Sequence, residues 1–357
     1  MRVLLVRLRE IGDVVFTTPA VRALRRRFPD AHLTYLVEPH AAPIVSRNPH
    51  LDDVLVVPRG RGARGLLADL VLGRRLRRQR FDLAIDFHGG PRASLLTWLS
   101  GARQRIGYDI AGRGWMYTTR VARPRQLRLR HSVENQWDLL EPLGIEPPDR
   151  ASDPVEMCPD PTIAATVARR LADTGVHDAH AVIVIHVSAG NPFRRWPLDN
   201  FAAVAAALAA GDARRRIILT AGPSAGDAAV HVVAAARARL TSVSAAHILS
   251  CGEFSLAELR ALLDRSALFI GGDSGPLHVA ATTRVPIVAL YGPTMPERSA
   301  PWRELTLLTE SVDAGSLPCR PCDQRVCAPG DFRCLTSISP ERILEAAERL
   351  LLDARNS

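Results

Sequence analysis

Leu268-Phe-Ile-Gly-Gly-Asp273-Ser-Gly-Pro-Leu-His278-Val-Ala-Ala281 passes from an apolar run to a helical pattern through small and polar residues. A buried strand ends at Ile270, and the small residues after it let the backbone turn sharply. Ser274 is a candidate N-cap for a helix opening at Gly275-Pro276, where proline is tolerated because its missing amide would be unpaired anyway. The free amides and dipole of such a helix start favour an anion by about 0.3–2 kcal/mol per charge, which suits a diphosphate. The run is neither a Walker A loop, having no Gly-Lys-Ser/Thr, nor a GxGxxG fingerprint. Asp273 would repel a phosphate placed on it, so a sugar or ribose hydroxyl is its expected partner. A plain strand-to-helix turn is the competing reading, and His278 either packs in the first helical turn or meets a ligand.

Further units of the same kind lie on both sides. In the second half, strands are expected at 182–187, 217–221, 246–249, 268–270 and 287–290. Helices are expected near 197–210, 226–240, 256–263, 276–283 and 340–352. In the first half, strands are expected at 3–6, 33–37, 54–57 and 83–87, with helices near 19–28, 66–78 and 132–143. Short apolar strands separated by helices imply parallel sheets covered on both faces. A Pro- and Asp-rich stretch from Pro147 to Pro161 reads as a linker. The expected fold is α/β of the GT-B class: two Rossmann-like domains whose parallel sheets face a central cleft, with ligands at the carboxyl ends of the strands. The expected domains are 1–150 and 151–335. A terminal helix in 336–357 is expected to pack back toward the first domain.

Two more loops carry chemistry. Val187-Ser188-Ala-Gly-Asn-Pro-Phe-Arg194-Arg195-Trp196-Pro197 follows the second half's first strand and joins small residues, including Ser188, to two arginines. Arginine can neutralise a leaving diphosphate without a metal, through charge-assisted hydrogen bonds. A solvated basic turn is the alternative. Asp13, in Arg7-Leu-Arg-Glu-Ile-Gly12-Asp13, stands just past the first strand. It could point into the cleft and accept a proton from an attacking hydroxyl. From position alone an N-cap, worth about 1 kcal/mol, is the favoured reading. Gly12 permits a tight turn or a close backbone approach.

Composition sets the frame. The chain has 357 residues, 47% hydrophobic and 23% charged, enough for two domains with sizeable cores. Its net charge of +9 comes from a surplus of arginine and suits an anionic partner. Charges interrupt the N-terminal apolar run after four residues, too soon for a signal peptide, and no stretch approaches the roughly 20 residues of a membrane-spanning helix. A soluble, cytoplasmic protein with reduced cysteines is expected.

The motifs resemble those of the ADP-heptose:lipopolysaccharide heptosyltransferases. Arg-x-x-Gly12-Asp13-Val-Val-x-x-Thr-Pro19-Ala20 is similar to the family's opening motif. Arg194-Arg195-Trp196-Pro197 resembles its basic-x-Trp-Pro element. Gly272-Asp273-Ser274-Gly275-Pro276-Leu277-His278-Val279-Ala280, followed by Ala289-Leu-Tyr-Gly-Pro-Thr294-x-Pro296, resembles its long signature. The matches keep the family's order from residue 3 to about 337. The resemblance implies an inverting, metal-independent transfer of heptose from ADP-heptose to a lipopolysaccharide inner-core acceptor. By it, Asp13 is the general base. Arg194 stands where better-known members carry a diphosphate-binding lysine, so the charge is kept and the geometry changed. Asp273, Ser274, Gly275 and His278 match donor-binding positions, with Ser188 and Arg195 in the arginine loop beside them. Glu253-Phe254 lies where the adenine edge is held, and Asp227 is a ribose contact. No cofactor is implied.

Arg59, Arg61 and Arg64, and the run from Arg120 to Arg130, could meet a phosphorylated, lipid-linked saccharide acceptor or the inner-membrane surface, which a peripheral enzyme would touch transiently. A solvated face is the alternative. Cys319-x2-Cys322-x4-Cys327-x6-Cys334 could hold zinc, form a redox-sensitive pair, or consist of packed free thiols. The rival functions are a GT-B transferase using a UDP- or GDP-sugar, an epimerase of similar architecture, and a nucleic-acid-binding protein. Against the last, aromatics are only 5% and do not interleave with the basic runs, so nucleic acid is not an expected partner. A monomer is expected.

Overall fold

The apolar runs become strands in two separate sheets. The computed structural model describes residues 1–58, 60, 62–123, 130–223, 225–322 and 324–356. It divides into two units, Met1–Cys158 and Pro159–Ser357.

The first unit contains β1 (Arg2–Arg7), β2 (His32–Val37), β3 (Asp53–Val56), β4 (Leu83–Asp86), β5 (Gln104–Asp109) and β6 (Thr119–Ala122). All pair in parallel, in the order β3-β2-β1-β4-β5-β6. Val3, Leu4, Leu5 and Val6 of β1 are wholly buried, because helices cover both faces of the central strand. β5 and β6 were not expected from the sequence. Their polar residues fit positions toward the sheet's edge, where burial is partial.

The second unit repeats the topology with β7 (Ala181–His186), β8 (Arg215–Thr220), β9 (Ile248–Leu249), β10 (Leu268–Gly272), β11 (Ile287–Tyr291) and β12 (Thr309–Asp313). Its order is β12-β11-β10-β7-β8-β9, again wholly parallel. In each sheet the strand order reverses beside the first strand, between β1 and β4 and between β7 and β10. Ligands of such sheets bind outside the carboxyl ends of the strands at this switch point.

The closing helix, Pro340–Asn356, buries Ile343, Ala346, Ala347, Leu350 and Leu351 in the second unit's own core. The Pro147–Pro161 stretch contains the boundary between the units. Arg22 donates to Pro154 O and pairs with Glu156, Arg26 pairs with Asp153, and the Glu156 amide donates to Thr18 Oγ1 at 2.9 Å. These contacts strap it to helix Thr18–Arg27 of the first unit. Among the described residues no helix is long and apolar enough to cross a membrane.

Candidate active site

At the first unit's switch point, β1 delivers Arg7 and the chain turns at Arg9 and Glu10, whose φ angles are 69° and 43°. The turn expected at Gly12 is therefore made before it. Two consecutive non-glycine residues with positive φ cost about 1–2 kcal/mol each, which marks the turn as constrained by its surroundings. Asp13 is the third residue of helix Ile11–Val15 and not its N-cap. Its carboxylate forms an ion pair with Arg7, whose guanidinium also donates to Phe87 O and is 8% exposed. The Asp13 side chain is 37% exposed, so the carboxylate is fixed from one side and open on another. That is the disposition a proton acceptor needs.

Beside it, β4 ends in Asp86, which is fully buried. Asp86 accepts from the amides of His88 and Gly89 at 2.8 and 2.9 Å and from the Tyr117 hydroxyl at 2.6 Å. Burial raises its pKa above the carboxylate norm despite those donors. His88 is held down at about 4, by burial first and then by the charge of Arg7, so it is neutral near pH 7. Asp13, Arg9 and Arg123 also act on it electrostatically. Sequence reasoning missed Arg7, Asp86 and His88. Their signal was position, since both strands end where the strand order reverses.

In the second unit, β10 ends at Gly272, where a Cβ would sit 3.3 Å from Arg194 O. Glycine thus lets the arginine loop close on the strand end. Asp273, 3% exposed, takes Arg194 Nη1 at 3.1 Å and the Thr294 hydroxyl at 2.6 Å, and lies 3.4 Å from His278 Nε2. Burial pushes the Asp273 pKa up, but the His278 bond and the Arg194 charge outweigh it, and the carboxyl stays below its ordinary range. Asp273 is therefore the anchor of a charged network. Arg194 Nε also donates to Gln324 Oε1 at 2.7 Å, while 31% of the Arg194 side chain remains exposed. Arg195 is exposed and donates to Ala189 O at 2.9 Å, which orders the loop. Ser274 occupies the N-cap position of helix Gly275–Ala280 without capping it; its hydroxyl is buried and has no partner among the described residues. His278 is 4% exposed and packed in that short helix.

Ser188 ties neighbouring strand ends together. Its hydroxyl accepts from the Gly222 amide at 2.8 Å and lies 3.1 Å from His186 Nε2; His186 Nδ1 is 3.1 Å from Thr220 Oγ1. Next along the same sheet edge is a cavity of about 570 Å³ lined by Thr220, Gly226, Asp227, Val230, Glu253 and Phe254, among others. The structure thus brings Asp227, Glu253 and Phe254 together, as the sequence suggested. A Cβ on Gly226 would sit 3.3 Å from Glu253 Oε1. Arg170, which the sequence did not reveal, holds this loop. It donates to Cys251 O and, at 2.7 Å, to Glu253 O, and it lies 4.1 Å from the Phe254 ring centroid.

Arg59 and Arg61 lie outside the described residues, as do residues 124–129 of the second basic run. Arg64 and Arg120 are exposed. The six cysteines are free thiols. Four of them, Cys319, Cys322, Cys327 and Cys334, line a cavity of about 130 Å³ with Phe193 and Phe332. Among the described residues no group of three or more His, Cys, Asp or Glu is arranged to hold a metal.

Known proteins resemble this chain in sequence and fold. The chain is 29% identical over 347 residues to lipopolysaccharide heptosyltransferase 3 of Escherichia coli K12, covering 95% of each. It superposes on a glycosyl transferase family 9 structure from Veillonella parvula with a TM-score of 0.85 and 25% identity, covering 99% of this chain and 97% of that one. The Escherichia coli ADP-heptose lps heptosyltransferase II structure shares the GT-B fold, with a TM-score of 0.79 and 19% identity over 99% of this chain and 100% of that one. Residues 70–329 match the model of glycosyltransferase family 9 (heptosyltransferase), so the chain belongs to that family and is a glycosyltransferase.

Proposed function

We propose that the enzyme transfers heptose from ADP-heptose to a lipopolysaccharide inner-core acceptor, with inversion at the anomeric carbon. The first unit binds the acceptor and the second the nucleotide sugar. Asp13 takes the proton of the acceptor hydroxyl, whose oxygen bonds to the anomeric carbon as the bond to the diphosphate oxygen breaks. ADP departs carrying the bond's electrons, and Arg194 meets the charge that builds on it. Helix Gly275–Ala280 is only six residues long, so its amides assist and the guanidinium carries the larger share.

The observation that carries this reading is the buried Asp273 holding a partly exposed Arg194 at 3.1 Å. It is a cation kept in place with a face left for an anion. Beside it the Ser274 hydroxyl has no partner among the described residues, and the cavity of Asp227, Glu253 and Phe254 lies farther along the same sheet edge. These features support adjoining places for a diphosphate and a nucleoside in one unit. The names of the relatives support the choice of sugar, nucleobase and lipopolysaccharide acceptor. The Asp13–Arg7 pair supports the base, since its guanidinium anchors the carboxylate while 37% of the side chain stays open.

A thermal-shift series against ADP, UDP and GDP tests the donor. Ligand at one hundred times its Kd stabilises by about 2.7 kcal/mol, a readily measured rise in Tm. ADP should stabilise most, and stronger stabilisation by UDP or GDP would overturn the base. Retention of the anomeric configuration in the product would overturn the displacement.

A further inference from the structure

Helix Gly62–Arg78 buries one face and leaves a patterned one in water. Inward lie Gly65, Asp69, Leu72, Gly73 and Leu76. Asp69 is consumed there by Arg92, which donates to it at 2.7 Å. Outward, residues four apart form ridges along the helix. One ridge reads Leu66-Leu70-Arg74-Arg78 and the next Leu67-Val71-Arg75. Leu66, Leu67, Leu70 and Val71 are 54%, 62%, 41% and 57% exposed, so the outer face is apolar in its first half and cationic in its second. Among the described residues Arg74, Arg75, Arg77 and Arg78 have no carboxylate partner, and no acid shares that face. The neighbouring helix, Pro91–Leu99, packs beside this one and adds Trp98, which meets Trp115 edge-on at 5.6 Å with both rings exposed.

The exposed Val243, by contrast, lies in a short helix, Ser242–Ala245, that carries no cation. A contiguous apolar patch on a soluble surface marks an interaction site. We propose that this face docks on an anionic phospholipid bilayer. The leucines and Val71 enter the boundary between headgroups and acyl chains, the arginines sit among lipid phosphates, and the tryptophans lie at the interface, where amphipathic rings are favoured. Charge selects this occupant. A symmetric contact with a second copy would set these unpaired arginines against themselves, whereas an anionic membrane complements them. The inference stands independently of the catalytic roles assigned above.

Sedimentation of the full chain with phosphatidylglycerol-containing vesicles and with phosphatidylcholine vesicles, without donor or acceptor, tests it. The wild type should sediment with the anionic vesicles, less so as salt rises. Each arginine near an anionic surface strengthens binding about fivefold, so R74Q/R75Q/R78Q should bind at least about tenfold more weakly. L67Q/V71Q should lose binding similarly, whereas V243Q should bind as the wild type does. The altered side chains are exposed, so Tm should hold, as should transfer to a short water-soluble acceptor. Tryptophan emission should shift to the blue on anionic vesicles and lose that shift in W98F/W115F. Wild-type protein that ignores anionic vesicles, or both helix variants binding undiminished, would overturn the proposal. So would a wild-type dimer that L67Q/V71Q converts to a monomer.

Discussion

Replacing Arg194 with glutamine removes the cation that faces Asp273 and leaves that carboxylate, 3% exposed, with Thr294 and His278. Taking one partner from a fully buried pair costs about 3–5 kcal/mol. Arg194 keeps 31% of its side chain in water, so the loss is discounted to about 1–2 kcal/mol. For a unit of this size that lowers Tm by about 3–6 °C. The acid limb should move as well. The Asp273 carboxyl is held below its ordinary pKa, so its stabilisation is present above the carboxylate range and fades as pH falls through the folded value. Burial alone would raise that value, and the Arg194 charge is one of the effects opposing it. R194Q should therefore lose stability at a higher pH than the wild type. The assay is thermal unfolding from neutral to acidic pH, with and without ADP, and the variant should also show a smaller ADP-induced rise. R194Q with wild-type Tm, a parallel pH profile and an undiminished ADP response would refute the pairing and the anion role together.

Other consequences follow from the same network. Arg170→Ala should free the loop around Glu253 and Phe254 and weaken ADP binding severalfold by calorimetry; R170K should not restore it, because lysine lacks the planar fork that stacks and donates at once. His186, held down at about 4 by burial, is neutral in the fold, so its stabilisation is full above the ordinary histidine pKa and is lost as pH falls toward 4. That shift is worth on the order of 3 kcal/mol. His186→Asn should therefore unfold with a flatter dependence on pH between roughly 6.5 and 4 than the wild type, and an unchanged slope would exclude the histidine as its source.

Strand and helix alternation was legible wherever the pattern was strong. The apolar runs at the centres of β1, β7 and β10 are buried on both faces, so their sequences cannot be mistaken for loops. Gln104–Asp109, Thr119–Ala122 and Thr309–Asp313 were not legible, because toward a sheet's edge partial exposure admits polar residues and erases the signal. At the site, small-residue loops and the arginines stood out, and Asp227, Glu253 and Phe254 do share a cavity. What could not be read was pairing. The partners of Asp273, Arg194 and Thr294, lie 79 and 21 residues away in the chain. Asp13 looked like a cap because the turn forms at Arg9 and Glu10, where glycine would be expected.

The central claim is that Asp13 accepts the acceptor's proton. Single-turnover transfer by Asp13→Asn, alongside its affinity for ADP, tests it most directly. General-base catalysis contributes about 10²–10⁴-fold, so turnover should fall at least tenfold while ADP binding stays nearly unchanged. Transfer at the wild-type rate would contradict the assignment.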